Sequence, residues 1–308
     1  MAPHRRREFL QLMLAGVTAT VSSHAFAQTH PAKVTTTPLN DYLHLISGAG
    51  ANVLLVSSGD GLVLVNGGSS EQSNEVLKAV AAQSRGKRLT TLLNSDWCAD
   101  HTGSNEAVGS ISAEIIAHEN TKQYLANDQF VEWQKRTYKA KPKVALPTKT
   151  FLTKGSLTAG SERIDYGHLG QAHTDGDIYV HLPTANVLMT GHAMTVGKYP
   201  IADYTTGGWL GGLLTATKTL LDLSNAQTRV IPATGPVQTR ADLQAQFDML
   251  TTLRERFAKM MRQGMSANDM LAAGATKEFD EKWGDPKLFV TVSYRGLWLH
   301  VRELGGIV

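Results

Sequence analysis

Four side chains able to bind a metal, Asp96, Cys98, Asp100 and His101, fall within six residues of one another in the stretch from Asn94 to Asn105. The first three are spaced by two, which in locally extended chain projects them to one side. Carboxylate, thiolate and imidazole together suit a transition metal better than magnesium or calcium. The stretch follows a short apolar run, Leu89 to Leu93, that reads as a buried strand. The break into Asn, Ser, Asp and Gly marks a loop at the strand's carboxyl end, a frequent seat of chemistry. Trp97 lies between two of the candidate ligands, and alternation turns its side chain away from them into packing beneath the loop.

Residues 96–105 read Asp-Trp-Cys-Ala-Asp-His-Thr-Gly-Ser-Asn. This resembles the H-x-H-x-D-H signature of the metallo-β-lactamase superfamily, usually followed by T-G-G-N. Asp96 and Cys98 replace the two leading histidines; Asp100, His101, Thr102, Gly103 and Asn105 match. A second family motif, G-x-x-H-T-x-G-D, is met by Gly170 to Asp177 and implies His173 as a ligand. A third, T-G-D, appears as Thr190-Gly191-His192, with an imidazole where the family has a bridging aspartate. The last, G-H-G-P, is Ala233-Thr234-Gly235-Pro236, and Thr234 is a poor ligand at neutral pH because its hydroxyl has no low-pKa anion. Asn66 stands where the family usually has an aspartate that would orient a ligating histidine.

The resemblance implies a four-layer αββα sandwich, with Asp96, Cys98 and His173 forming a first site and Asp100, His101 and His192 a second. Asp100 takes the catalytic role beside its place in the second set. Loss of the carboxylate bridge favours one ion, zinc, with iron as the alternative. His168 and His181 lack such context and read as ordinary surface or hydrogen-bonded histidines.

Several elements must position these residues. Tyr42 to Ile46, Ala51 to Val56 and Gly61 to Val65 read as strands, the last two joined through a hairpin at Gly59-Asp60-Gly61. Glu71 to Ser84 reads as a helix with Val76, Ala79 and Val80 on one face. Ala113 to Ala117 is a strand leading into a helix. Asp128 to Pro147, charged around two prolines, suggests an exposed helix followed by an extended connection bordering a cleft. Ser161 to Tyr166, Asp177 to Leu182, Asn186 to Thr190 and Arg229 to Ile231 supply further strands, and Leu210 to Leu223 a helix. Thr239 with Asp242 three residues on marks the start of a long helix whose apolar stripe runs from Leu243 to Met260. In the tail, Trp283, Phe289, Tyr294 and Trp298 read as packing residues.

A chain of 308 residues with 42% hydrophobic content suffices for one large α/β domain. Arg5-Arg6-Arg7-Glu8-Phe9-Leu10, an apolar run to Val21, and Ala25-Phe26-Ala27 have the three parts of an export signal, and Arg6-Arg7-x-Phe9-Leu10 resembles the twin-arginine type. Residues 1–27 are thus expected to be removed, leaving a domain of residues 28–308 in the periplasm or medium. That loss takes away three Arg and one Glu and lowers the formal charge from +3 to +1. A nearly neutral chain gives no electrostatic case for nucleic acid or membrane binding; the small-molecule substrate expected here is what the family resemblance implies. Cys98 is the only cysteine, which excludes an internal disulfide.

The leading expectation is an exported metal-dependent hydrolase with a rewired site, metal-activated water attacking an ester, lactone, thioester or amide carbonyl. An alternative is a non-catalytic binding or scaffold protein that has kept the fold. A third is a thiol hydrolase using Cys98 with His101 or His173 as base, for which the sequence offers no third orienting group.

Overall fold

The computed structural model describes residues 33–301 except positions 58 and 60. The expected export signal lies outside the described residues, as does part of the Gly59-Asp60-Gly61 turn. Strands β1 (Thr35–Pro38), β2 (Leu43–Ala49), β3 (Ala51–Val56) and β4 (Gly61–Val65) pair antiparallel in succession. Helix α1 (Ser73–Ala82) then crosses to β5 (Arg88–Leu93), which lies parallel to β4. Two short helices, α2 (Ala99–Thr102) and α3 (Asn105–Ser110), lead to β6 (Glu114–His118), parallel to β5. Helix α4 (Glu119–Ala126), a hairpin of β7 (Gln129–Val131) and β8 (Arg136–Tyr138), and β9 (Lys149–Phe151) complete this half.

The second sheet is β10 (Lys154–Ala159), β11 (Glu162–His168), β12 (Ile178–Leu182), β13 (Val187–Gly191) and β14 (Arg229–Pro232), with α5 (Leu210–Leu223) crossing over to the last strand. Helices α6 (Arg240–Arg262), α7 (Ala267–Ala272), α8 (Asp280–Trp283) and α9 (Lys287–Leu299) follow.

Period-two alternation sorts the side chains into layers. Along β3, Leu54 and Val56 face the second sheet and pack with Ile178, Val180 and Met189, while Val53 and Leu55 face outward onto Val76 and Val80 of α1. On the far side Leu188 and Val230 meet Leu213 and Leu220 of α5 and Leu250 and Phe257 of α6. Helix, sheet, sheet, helix is the expected αββα order. Helix α6 starts as its sequence indicates: Thr239 Oγ1 accepts the Asp242 N–H, and Asp242 Oδ2 accepts the Thr239 N–H at 3.0 Å.

Two expectations need correction. Residues 128–147 form no α-helix but the β7/β8 hairpin, with a 3-10 turn at Glu132–Gln134 and Lys135 at φ +51° closing it, and a second 3-10 turn at Lys143–Ala145. Asp128 Oδ1 accepts the Ala140 N–H at 2.9 Å and Oδ2 holds Lys139 at 2.6 Å, so the base of the hairpin is closed by a side chain that a helix would have left exposed. Of the four tail aromatics, Trp283 and Phe289 are buried and Tyr294 is half-buried, but Trp298 is exposed on the outer face of α9. Strands β9 and β10 carry no clear apolar alternation and were not anticipated.

Candidate metal centre

The loop after β5 is braced before it offers any donor. Asn94 and Asn105 exchange side-chain amide hydrogen bonds at 3.0 and 2.9 Å, closing the loop on itself. The Gly67 N–H donates to His101 O at 2.6 Å and the Gly103 N–H to Gly68 O at 2.8 Å, which stitches α2 against the segment after β4. A Cβ at Gly103 would fall 2.1 Å from the Ser69 carbonyl carbon, so this close approach of two backbones requires glycine. Trp97 is buried against Leu125, Val131, Tyr124 and Tyr138, turned away from the donors as alternation predicts.

The second sheet supplies the other donors. His173 sits between β11 and β12, where Asp177 Oδ2 accepts its N–H at 2.6 Å and Asp177 Oδ1 accepts the Thr174 hydroxyl at 2.6 Å. His192 follows β13 directly. Gly191 before it has φ +54°, and a Cβ there would meet Ser95 Oγ at 2.8 Å, so the turn that aims His192 at the β5 loop needs a residue without a side chain.

All six candidate ligands converge, in a grouping unlike the expected one. Cys98, His173 and His192 form one set of donors, and Asp96, His101 and His192 another; within each set the atoms lie within 4.8 Å of one another. Asp96 does not join Cys98 and His173 because the chain is not extended here. Its Oδ1 turns back to accept the Cys98 N–H at 2.8 Å, and α2 begins directly after Cys98. Its Oδ2 lies 2.8 Å from His192 Nδ1 and 2.8 Å from His101 Nδ1. Asp100 Oδ2 is 3.3 Å from His192 Nε2, at the edge of both sets. The three imidazoles lie side by side, with ring centroids 4.2 Å apart for His101 and His192 and 4.7 Å for His173 and His192.

Beside Thr234, the Ala233 N–H donates to Gly191 O at 3.0 Å, so that turn supports the His192 loop. Asn66, at φ +64°, accepts the Ser95 N–H through Oδ1 at 2.9 Å and fixes the start of the loop, not a ring nitrogen. Sequence reasoning missed two partners. Ser95 Oγ is 2.9 Å from His101 Nδ1, and the Ile201 carbonyl accepts from His173 Nδ1 at 2.7 Å. His168, as expected, is a bonded histidine, its Nε2 donating to Asp175 O at 2.8 Å.

The electrostatics are those of opposite charges crowded together out of water. Burial would raise the Asp96 carboxyl, but His101 and His192 beside it hold it well below the usual carboxylate range. Asp100 is likewise lowered, mainly by His192 against the effect of burial. Burial disfavours a charged His192, yet Asp100 and Asp96 raise it well above an ordinary histidine. Burial and the Asp96 charge push the Cys98 thiol up, and burial pulls His173 down.

These residues fit a transition metal. His173 donates through Nδ1, so Nε2 carries the lone pair and faces Cys98 Sγ at 3.5 Å. His101 Nε2 is fully buried without a hydrogen-bond partner, a vacancy that an ion or a proton would fill. Thiolate and imidazole donors suit zinc and discriminate against hard cations. A cavity of about 910 Å³ opens over Cys98, Asp100, His173 and His192. The β7/β8 hairpin forms one wall through Trp133 and Tyr138, and Phe289 of α9 contributes to another. The segment misread as a helix thus does border the cleft. Trp133 Nε1 pins it by donating to Asp203 Oδ1 at 3.0 Å.

Comparison with known proteins agrees with this architecture. A metallo-beta-lactamase from Pontibacter korlensis superposes with a TM-score of 0.58 at 20% identity, covering 71% of this chain and 99% of that one. The DIM-1 metallo-beta-lactamase gives 0.58 at 17%, covering 71% and 98%. A stereoselective inverting sec-alkylsulfatase from Pseudomonas sp. gives 0.66 at 17%, covering 85% of this chain and 50% of that one. No curated protein matches the sequence. The family profile described as metallo-beta-lactamase superfamily matches residues 47–243, more than half of the chain. With the sandwich and the convergent donors in place, the chain belongs to the metallo-beta-lactamase superfamily.

Proposed function

We propose that this protein is an exported, zinc-dependent hydrolase of a small molecule, cleaving an ester, lactone, thioester or amide. The observation that carries the reading is the Cys98, His173 and His192 set, three donors of zinc-binding type at the floor of a 910 Å³ cavity. Hydrolysis is also what the names of the structural neighbours, β-lactamases and an alkylsulfatase, have in common. A bound zinc ion would supply Lewis-acid polarisation of the scissile group and activation of water. The protein's own part is to hold the donors, with Ile201 O and Asp177 fixing His173 and Asp96 and Asp100 flanking His192. Asp100 is ionised and partly open to the cavity, so its carboxylate is placed to take the catalytic role of orienting the attacking water. Trp133, Tyr138 and Phe289 close the site around an apolar substrate body.

The test is zinc content together with hydrolysis of an ester, lactone, thioester and amide panel. About one equivalent of zinc, and turnover lost to chelator and restored by zinc, supports the reading. No metal after reconstitution and no turnover would leave the binding-protein alternative. Export rests on the sequence of residues 1–27 and is tested by intact mass, a mature chain beginning at Gln28 being expected. Among the described residues no helix is long and apolar enough to cross a membrane.

One observation favours the metal-free thiol reading: the Ile201 carbonyl supplies the orienting group that a Cys98–His173 pair needs. Against it, burial and Asp96 oppose formation of a free thiolate. Alkylation that abolishes turnover in the presence of chelator would decide for the thiol.

A further inference from the structure

We infer that Asp96, although it stands at a ligand position of the motif, is not a ligand but a positioning carboxylate that fixes the rings of His192 and His101 through their Nδ1 atoms and so sets how His192 meets the Cys98 and His173 donors, the centre holding one ion. The inference rests on the metal-binding reading above and specifies how that site is built.

Asp96 is fully buried, and both its oxygens are engaged by the protein. Oδ1 accepts the Cys98 N–H, and Oδ2 is 2.8 Å from each of two imidazole Nδ1 atoms. A neutral imidazole has one N–H and one lone pair. A bare Nδ1 lone pair 2.8 Å from a carboxylate oxygen would be repelled, so each Nδ1 carries its hydrogen, that of His101 shared between Asp96 Oδ2 and Ser95 Oγ. Both rings are thereby fixed through Nδ1, with Nε2 of His101 left bare and Nε2 of His192 lying 3.3 Å from Asp100 Oδ2, which it must leave to meet an ion. The near-parallel stacking of the two rings, 22° between planes, follows from their hanging on one oxygen. The orphaned His101 Nε2 is the other end of the same arrangement.

The alternative, an ion held by Asp96, His101 and His192, requires both Nδ1 atoms to give up their protons. His192 could then serve the Cys98 and His173 set as well only as a doubly deprotonated, bridging ring. With Asp96 committed to the rings, the second set lacks its anion and one ion remains. The Asp at this position has therefore exchanged ligation for orientation, while Cys98 next to it supplies the anion the ion needs.

The test has two arms. In metal-free, ¹⁵N-histidine-labelled protein, NMR should show His101 protonated at Nδ1 and bare at Nε2; Nε2 protonation with a bare Nδ1 would overturn the inference whether or not metal binds. In the second arm, zinc is titrated against a chromophoric chelator, and cobalt(II) spectra are recorded at saturation, for wild type and Asp96→Asn. The amide keeps an acceptor for the Cys98 N–H but cannot accept from both rings. Zinc affinity should fall about 10- to 100-fold, while the cobalt thiolate charge-transfer and ligand-field bands at saturation stay as in wild type and wild type binds one equivalent. Altered ligand-field bands, unchanged affinity, or two equivalents in wild type would each overturn the inference. If wild type binds no metal, the proposed function fails while the NMR arm still decides on Asp96; if Asp96→Asn does not fold, the wild-type stoichiometry and NMR decide.

Discussion

Replacing Trp97 by alanine should destabilise the protein strongly while leaving its metal content intact. The indole is buried beneath the ligand loop, 5.8 Å from the Tyr124 ring and 5.3 Å from Tyr138, the latter edge-on at 89°. A buried aromatic of this class removes roughly 150 to 250 Å² from water, about 4 to 6 kcal/mol at the usual coefficient. Its two aromatic pairs add about 1 kcal/mol each. Against this, its Nε1–H is buried without a partner, which costs the folded state about 1 to 3 kcal/mol and is relieved by truncation. The alanine retains a little of the burial, so about 3 to 5 kcal/mol of stability should be lost, a fall in Tm of roughly 6 to 20 °C. Trp97→Phe keeps the ring contacts and removes the orphaned N–H, so it should cost under about 1.5 kcal/mol. Denaturant unfolding gives both values, and elemental analysis gives the metal. An unaltered melting point combined with altered metal content would refute the reasoning, because it would mean that Trp97 acts on the donors and not on the packing beneath them.

Chelation of bound zinc should lower Tm by roughly 5 to 10 °C, since an ion present at a hundred times its Kd contributes about 2.7 kcal/mol; calorimetry with and without chelator measures it. Asp203→Ala should cost about 3 kcal/mol, because Asp203 accepts from Trp133 Nε1, Thr205 N and the Thr205 and Thr206 hydroxyls. The β7/β8 wall should then show faster amide exchange. Gly103→Ala should lower stability by at least about 1 to 3 kcal/mol and loosen zinc binding, as the added methyl meets the Ser69–Ser70 backbone; unchanged chelator competition would count against that close approach.

The sandwich was legible because its central strands are apolar runs bounded by turn residues, and because α6 is announced by a capping box. The β7/β8 hairpin was not legible: three-residue strands are too short for a period, and what holds the hairpin is Asp128 and Asp203 acting over a distance in sequence. Strand β10 alternates between exposed and half-exposed residues until the buried Ala159 at its end, so its faces do not differ enough in polarity to be read. The six convergent residues were legible from their motifs. Their grouping was not, since it turns on the direction of the Asp96 side chain, which a local turn to the Cys98 N–H decides. The Ile201 carbonyl left no trace in the sequence, because any residue provides a backbone oxygen.

The donors come from both sheets. Cys98 and His173 are 75 residues apart, and His192 and Asp96 are 96 apart, yet each pair is in direct contact. An ion bound there acts as a cross-link between the halves of the sandwich and closes a long loop of chain, which removes more freedom from the unfolded state than a local clip would. It also imposes an order on assembly: the β5 loop emerges first and can offer only part of the set. Tight binding must await the docking of β12 and β13, so loading of the ion reports that the two halves have met.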